Sequence, residues 1–289
     1  MKLLASFLLA TLVVFTVSAE PVWQGTGVHK DDYLVGTIHV GDERIKTLSP
    51  RMKALIDAVE VVAVELDLSD ISQLQQQQAI LELAMLPGDT TITQVISPLM
   101  ATRVNGYLQQ FGVDIFQYEK FKPWMVAVIM VQMSYQKMGL VAEHGIDQQI
   151  IEYAKLKNKQ IVELETFSQQ LNIFNRLFES ADDINYDDML EDTLDELNNM
   201  SDMPSKMLEA WINSDISVFE DIYNKTLKSS SYDTQLEQLL LIERNQAWKE
   251  TLNPILEKKS VLVATGTLHY IGPTGLPKLL NGNFEVLKK

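Results

Sequence analysis

Two of the four histidines stand in matching surroundings: Gly36-Thr37-Ile38-His39 and Gly266-Thr267-Leu268-His269 share the pattern Gly-Thr-aliphatic-His. Each follows an apolar, β-rich run, so each imidazole is expected at the end of a strand, where ligands gather in α/β folds. Glu65 closes a third such run, 61–64, and Glu165 a fourth. Two imidazoles and a carboxylate suit Zn, Mn, Co or Fe(II) with positions left open for water and substrate. An ion so held acidifies its bound water and polarises a carbonyl. His39, His269 and Glu65 are therefore the expected metal ligands, Glu65 serving either as the third ligand or as the general base for metal-bound water, with Glu165 a reserve ligand. The opposing interpretation is two histidines that only hydrogen-bond backbone at strand ends.

The Glu243-Arg244-Asn245 triplet adds two groups. Arg244 cannot lose its proton, so it is expected to steady an oxyanion or clamp a substrate carboxylate. Its alternative is a surface ion pair with Glu243 or Glu237. Asn245 is expected to orient a ligand or a substrate amide. Asp147 either orients a histidine or favours a helix N-terminus. His29, in a charged turn, is expected to be exposed. His144 is a candidate for the cleft wall, and Trp124 belongs in the core.

These residues need a scaffold, and the hydrophobic pattern outlines one. Strands are expected at 22–27 and 33–40, paired as a hairpin, then at 61–67, 160–165, 260–268 and 284–287. The continuous apolarity of 61–64 predicts a strand covered on both faces. Ser49-Pro50 opens a helix to about residue 58. Further helices are expected at 71–86, which contains a glutamine run at 75–78, then 98–111, 123–138, 145–157 and 233–257. The helix at 123–138 is apolar nearly all round and is expected to be the central buried helix. Residues 181–231 are acidic and helical, expected as an insertion or lid. The fold class is α/β (mixed α+β), with a central sheet built from the N- and C-terminal strands and a large helical middle region.

Residues 1–19 have a secretory-leader pattern: Lys2, an apolar stretch, then Val17-Ser18-Ala19, with cleavage expected after Ala19. The stretch is too short to span a bilayer. The mature part, 20–289, is expected to be a single domain. The chain has no cysteine, which excludes disulfides and thiolate chemistry and fits a bacterial envelope, periplasmic or secreted. A net charge of −15 argues against nucleic acid and anionic lipid as partners.

The sequence resembles the TraB/GumN family, which includes the TIKI proteases. The residues that carry the resemblance are 33–41, Val64-Glu65-Leu66, Lys122-Pro123-Trp124, Gly145-Ile146-Asp147, Leu164-Glu165-Thr166, Glu243-Arg244-Asn245 and 266–272. They occur in family order across nearly the whole mature chain. The resemblance implies a metal-dependent, peptidase-like site using His39, His269, Glu65 and Arg244, acting on a peptide or a small amide or ester. The family is similar in outline to erythromycin-esterase-like (EreA) and haem-binding ChaN-like proteins, which implies an α/β fold. Rival readings are a haem- or metal-binding envelope protein without catalysis, with Met125, Met130, Met133 or Met138 near an apolar slot, and a structural or signalling envelope protein.

Overall fold

The computed structural model describes residues 20–179, 185–199, 203–226 and 231–287. The expected leader, 1–19, lies outside the described residues, as do parts of 181–231. Apolar segments form six strands: β1 (Val22–Gly25), β2 (Tyr33–Thr37), β3 (Val61–Val64), β4 (Gln160–Glu163), β5 (Val261–Gly266) and β6 (Phe284–Val286). They make one sheet in the order β4-β3-β5-β2-β1-β6. β1 runs antiparallel to β2 and β6, the expected hairpin included. β2, β5, β3 and β4 are parallel. Four strand ends therefore share one edge, and all the strand-end residues singled out above lie just beyond it.

The middle parallel strands are buried throughout: every residue of β2 and β3, and all of β5 up to Gly266. That explains their continuous rather than alternating apolarity, since both faces are covered. The Ile146–Leu156 helix packs on β3, β4 and β5, and the Pro50–Ala58 helix packs against it in turn. Ser49 caps the latter, accepting a hydrogen bond from the Met52 amide, with Pro50 in the first turn; proline there forfeits no helical hydrogen bond. The strands end about where the alternatives to pairing begin: β2 stops at Thr37 and β3 at Val64, two or three residues earlier than the apolar runs suggest.

Helices between the strands build a second apolar cluster. The Pro123–Lys137 helix contributes Trp124, Val126, Ala127 and Met130 to it, alongside Ile92, Val104, Leu108 and Leu190. The helix expected to be central and buried thus packs chiefly in this helical cluster. Met125 and Met133 pack against that same cluster and Met138 against the sheet core. From the stretch expected as an insertion or lid, the Met203–Asn213 and Ile216–Thr226 helices bury Leu208, Trp211, Phe219 and Tyr223 in the sheet core. Trp211 also donates its indole N–H to the Gly36 carbonyl at 2.7 Å. The long helix expected at 233–257 is broken in type: Ser231–Glu237 is α-helical, Gln238–Ile242 is a π turn, and Glu243–Leu256 is α-helical again.

Candidate active site

The parallel strands deliver their terminal residues in register. Glu65 follows β3, Glu165 follows β4 by two residues, His39 follows β2 by two, and His269 follows β5 by three on a 3₁₀ turn (Thr267–Tyr270). Gly266 lies at the centre of this group. A side-chain carbon placed on it would stand 3.4 Å from Glu65 Oε1, 3.7 Å from His269 Cδ2 and 3.7 Å from His39 Nε2. The two distant Gly-Thr-x-His segments and the early glutamate thus meet. The threonines of the two motifs, which the sequence reading passed over, join the segments: Thr267 Oγ1 donates to the Thr37 carbonyl at 2.9 Å, and Thr37 Oγ1 donates to Asp147 Oδ1. Their presence in both motifs was the available signal.

Each imidazole is held through Nδ1. His269 Nδ1 lies 2.7 Å from Asn245 Oδ1, and Asn245 Nδ2 donates to the carbonyls of His269 (3.1 Å) and Thr274 (2.9 Å). With its amide nitrogen committed to two carbonyls, Asn245 offers only oxygen to the ring, so His269 carries its proton on Nδ1 and its lone pair on Nε2. His39 Nδ1 lies 2.9 Å from Asp147 Oδ2. Asp147 thus orients a histidine and also occupies the first turn of the Ile146–Leu156 helix. The two rings differ in access: about two-thirds of the His39 side chain is exposed, against 4% for His269.

Arg244 ties the rest together. Nε and Nη2 donate to the two oxygens of Glu165 at 2.9 and 2.6 Å, and Nη2 also donates to Glu65 Oε2 at 2.5 Å. Nη1 donates to the Leu240 carbonyl at 3.0 Å and lies 3.0 Å from His269 Nε2, where it meets the lone pair. A guanidinium has five N–H donors, and these contacts occupy all of them. The expected roles of oxyanion donor or substrate clamp therefore do not fit Arg244 as it stands, nor does the surface pairing with Glu243 or Glu237. Glu243 pairs instead with Arg176 at 2.8 Å and Glu237 with Tyr223. The π turn at Gln238–Ile242 ends two residues before Arg244, and its i→i+5 bonding locally shifts the register of the helix; Arg244 and Asn245 both contact His269. Trp248, one helical turn later and not foreseen, lies with its ring 4.6 Å from Arg244 Cζ and 4.4 Å from the His269 ring.

The electrostatics follow. Burial alone would raise the Glu65 pKa, but the neighbouring positive groups, Arg244 among them, and the Gly266 N–H at 2.6 Å outweigh it and hold the carboxyl at about 2. Burial pushes His269 down to about 3, so its ring is neutral at physiological pH. His39 moves the other way, because the adjacent Asp147 carboxylate raises its pKa.

Of the remaining sequence candidates, His29 is less exposed than expected: it pairs with Asp32 at 2.8 Å and its side chain is 18% exposed. His144 is partly buried beside the His39 segment, its carbonyl facing Gly41. Trp124 is buried in the helical cluster, stacked on Phe174.

The donor chemistry suits a divalent ion. Two imidazoles with Nδ1 engaged and a carboxylate oxygen flank the space that Gly266 leaves open, the pattern by which bound partners fix a ligand histidine. Among the described residues no three His, Asp or Glu side chains are grouped closely enough to hold an ion as they stand, and Arg244 lies against His269 Nε2.

A mixed sheet with chemistry gathered at the carboxyl edge of its parallel strands defines the class. The chain belongs to the TraB/PrgY/gumN family, whose model matches residues 21–284. It is similar to YbaP of Shigella flexneri, 26% identical over 252 residues that cover 87% of this chain and 88% of that protein. YbaP of Escherichia coli (strain K12) is also 26% identical, over 86% of this chain and 87% of its own length. An uncharacterized protein of Treponema pallidum (strain Nichols) is 22% identical over 53% of this chain and 46% of its own. No solved structure gives a significant match.

Proposed function

We propose that this chain is an exported hydrolase of peptide, amide or ester bonds, working with a divalent ion (Mn, Co or Zn) held by His39, His269 and Glu65. One observation carries the reading: both imidazoles have Nδ1 fixed by an acceptor, and both rings and Glu65 Oε1 converge on the unfilled position of Gly266. Such an ion supplies an acidified water and a Lewis acid. The chain's own residues do the rest. His39 is the solvent-facing ligand, and it must release its extra proton before Nε2 can donate. His269, already neutral, would offer its Nε2 lone pair to an ion if Arg244 Nη1, now 3.0 Å from that nitrogen, were displaced. Glu65, ionised at neutral pH, would offer Oε1 to the ion. Asn245 and Asp147 keep the rings aimed, and the leader pattern at 1–19 supports an envelope compartment.

The test is calorimetric titration of chelator-treated protein with Zn²⁺, Mn²⁺ and Co²⁺, beside His39→Ala and His269→Ala. One site is expected in the parent, weakened in each variant by at least the about 10–100-fold that losing even a supporting residue causes. Equal binding by the variants overturns the site. Saturable metal binding with no turnover of peptide or ester panels overturns the hydrolase and leaves a binding role.

A further inference from the structure

A cavity of about 210 Å³ opens on the β4 side of the site, between the Phe167–Glu179 and Glu243–Leu256 helices. Glu165 and Arg244 form its inner wall, so the groups that brace Glu65 and His269 on one side face this cavity on the other. The cavity has room for a group the size of one amino-acid side chain.

The walls have a definite character. The charged groups there are already engaged: Glu165 with Arg244, which also carries Glu65, at the buried inner wall, and Arg176 with Glu243 at the more exposed mouth. A charged group reaching the inner wall would shed water and find its complement taken, which is costly. Ile173, Leu239 and Trp248 supply apolar surface. Two carboxamides retain capacity. Gln169 uses its oxygen for the Thr166 amide and hydroxyl, leaving its NH₂ group. Asn172 makes no side-chain hydrogen bond to another described residue. An aliphatic surface beside carboxamides with open donors and acceptors matches an uncharged residue that ends in an amide or another neutral polar group.

We propose that this cavity is a specificity subsite that takes an uncharged side chain of a peptide substrate, with Asn172 and Gln169 reading its polar end. The inference rests on the hydrolase reading for its purpose, but its test does not need turnover. Ligand-observed NMR on the full chain compares N-acetyl amides of glutamine, leucine, glutamate and lysine. Saturable binding is expected for the glutamine and leucine amides, and binding at least about tenfold weaker, roughly 1.4 kcal/mol, for the charged pair. Ala247→Phe, on an exposed wall position, is expected to abolish binding. Asn172→Leu is expected to weaken the glutamine amide alone and keeps the test decisive if the phenylalanine variant fails to fold. His39→Ala is expected to retain binding, which separates the subsite from the metal centre. Equal binding of charged and neutral amides, no saturable binding to the parent, or retention in a folded Ala247→Phe protein overturns the proposal. Loss of turnover or of metal binding with this pattern intact would sink the hydrolase reading alone.

Discussion

Arg244 shows how a single side chain can hold two buried carboxylates and an imidazole together. It bridges Glu65 and Glu165, both nearly inaccessible, while 14% exposed itself. Removing one partner of a buried ionic group leaves charges without compensation and typically destabilises by about 3–5 kcal/mol. Arg244→Gln is expected to lose stability in that range in urea unfolding, and Arg244→Gln with Glu165→Gln less than the sum of the single changes, because the second removes a charge the first has stranded. A loss below about 1 kcal/mol would mean the network is solvated and not structural. Gly266 makes the opposite case. Its φ of −50° and ψ of 137° suit any L-residue, and an added methyl would meet nothing closer than 3.4 Å. Gly266→Ala is therefore expected to fold normally, gaining up to about 0.4–1 kcal/mol from a stiffer unfolded chain. It would also fill the space between the two imidazoles and Glu65. Melting at or above the parent's temperature with lost metal binding is the signature; metal binding equal to the parent's would place the ion elsewhere.

The strands act on the site through how closely β2 and the turn after β5 approach. Gly36 permits it: a Cβ there would lie 2.8 Å from Thr267 Oγ1 and 3.1 Å from its Cγ2. Gly36→Ala is expected to cost about 1–3 kcal/mol, as overpacking does. Combining it with Thr267→Ala removes the two clashing atoms, so the double variant should be less damaged than the two single losses predict, as read by denaturant midpoints. Simple additivity would show that the two motifs do not press on each other. Much of this arrangement was legible beforehand. Buried parallel strands need continuous apolar runs, and 33–37, 61–64 and 261–264 have them; a strand-end histidine or glutamate then follows from where the run stops. The π turn was not legible, because Gln238–Ile242 has the composition of an ordinary helix and its register shift arises from packing. For the same reason the role of Arg244 was misjudged. A sequence shows that a guanidinium can donate five hydrogen bonds but not that Glu65, Glu165, Leu240 and His269 already receive them. Asp147 could be read as a helix-start acid or a histidine partner, and the helix start that donates the Ile146 amide to the Ile38 carbonyl makes it both.

Among the described residues two large apolar clusters share the load, one on the sheet and one among the helices, beside a small third of Ile173, Leu177 and Leu239, and the sequence could not apportion helices between them. The Pro123–Lys137 helix is as apolar as a sheet-covering helix would be, yet it lies in the helical cluster because Trp124 finds Phe174 there. The sheet core also encloses tyrosines, and these give the fold a pH limit on the alkaline side. Burial and, less strongly, Glu237 push the Tyr223 phenol up to about 12; burial also raises Tyr33, Tyr135 and Tyr270. The sign follows from linkage. The unfolded chain loses these protons near pH 10 and the folded chain only later, so their contribution to stability is complete below pH 10 and disappears as pH climbs through the folded values. Urea unfolding between pH 9 and pH 12 is expected to show stability falling with pH in the parent and falling less steeply in Tyr223→Phe, where one linked phenol is gone. The comparison cancels the lysines that titrate in the same window. Absorbance of ionised tyrosine near 295 nm should lag behind the full count until the protein unfolds. Equal slopes in parent and variant, or complete tyrosine ionisation while the protein remains folded, would mean that Tyr223 is reached by solvent and that the helices carrying it do not close over the sheet core.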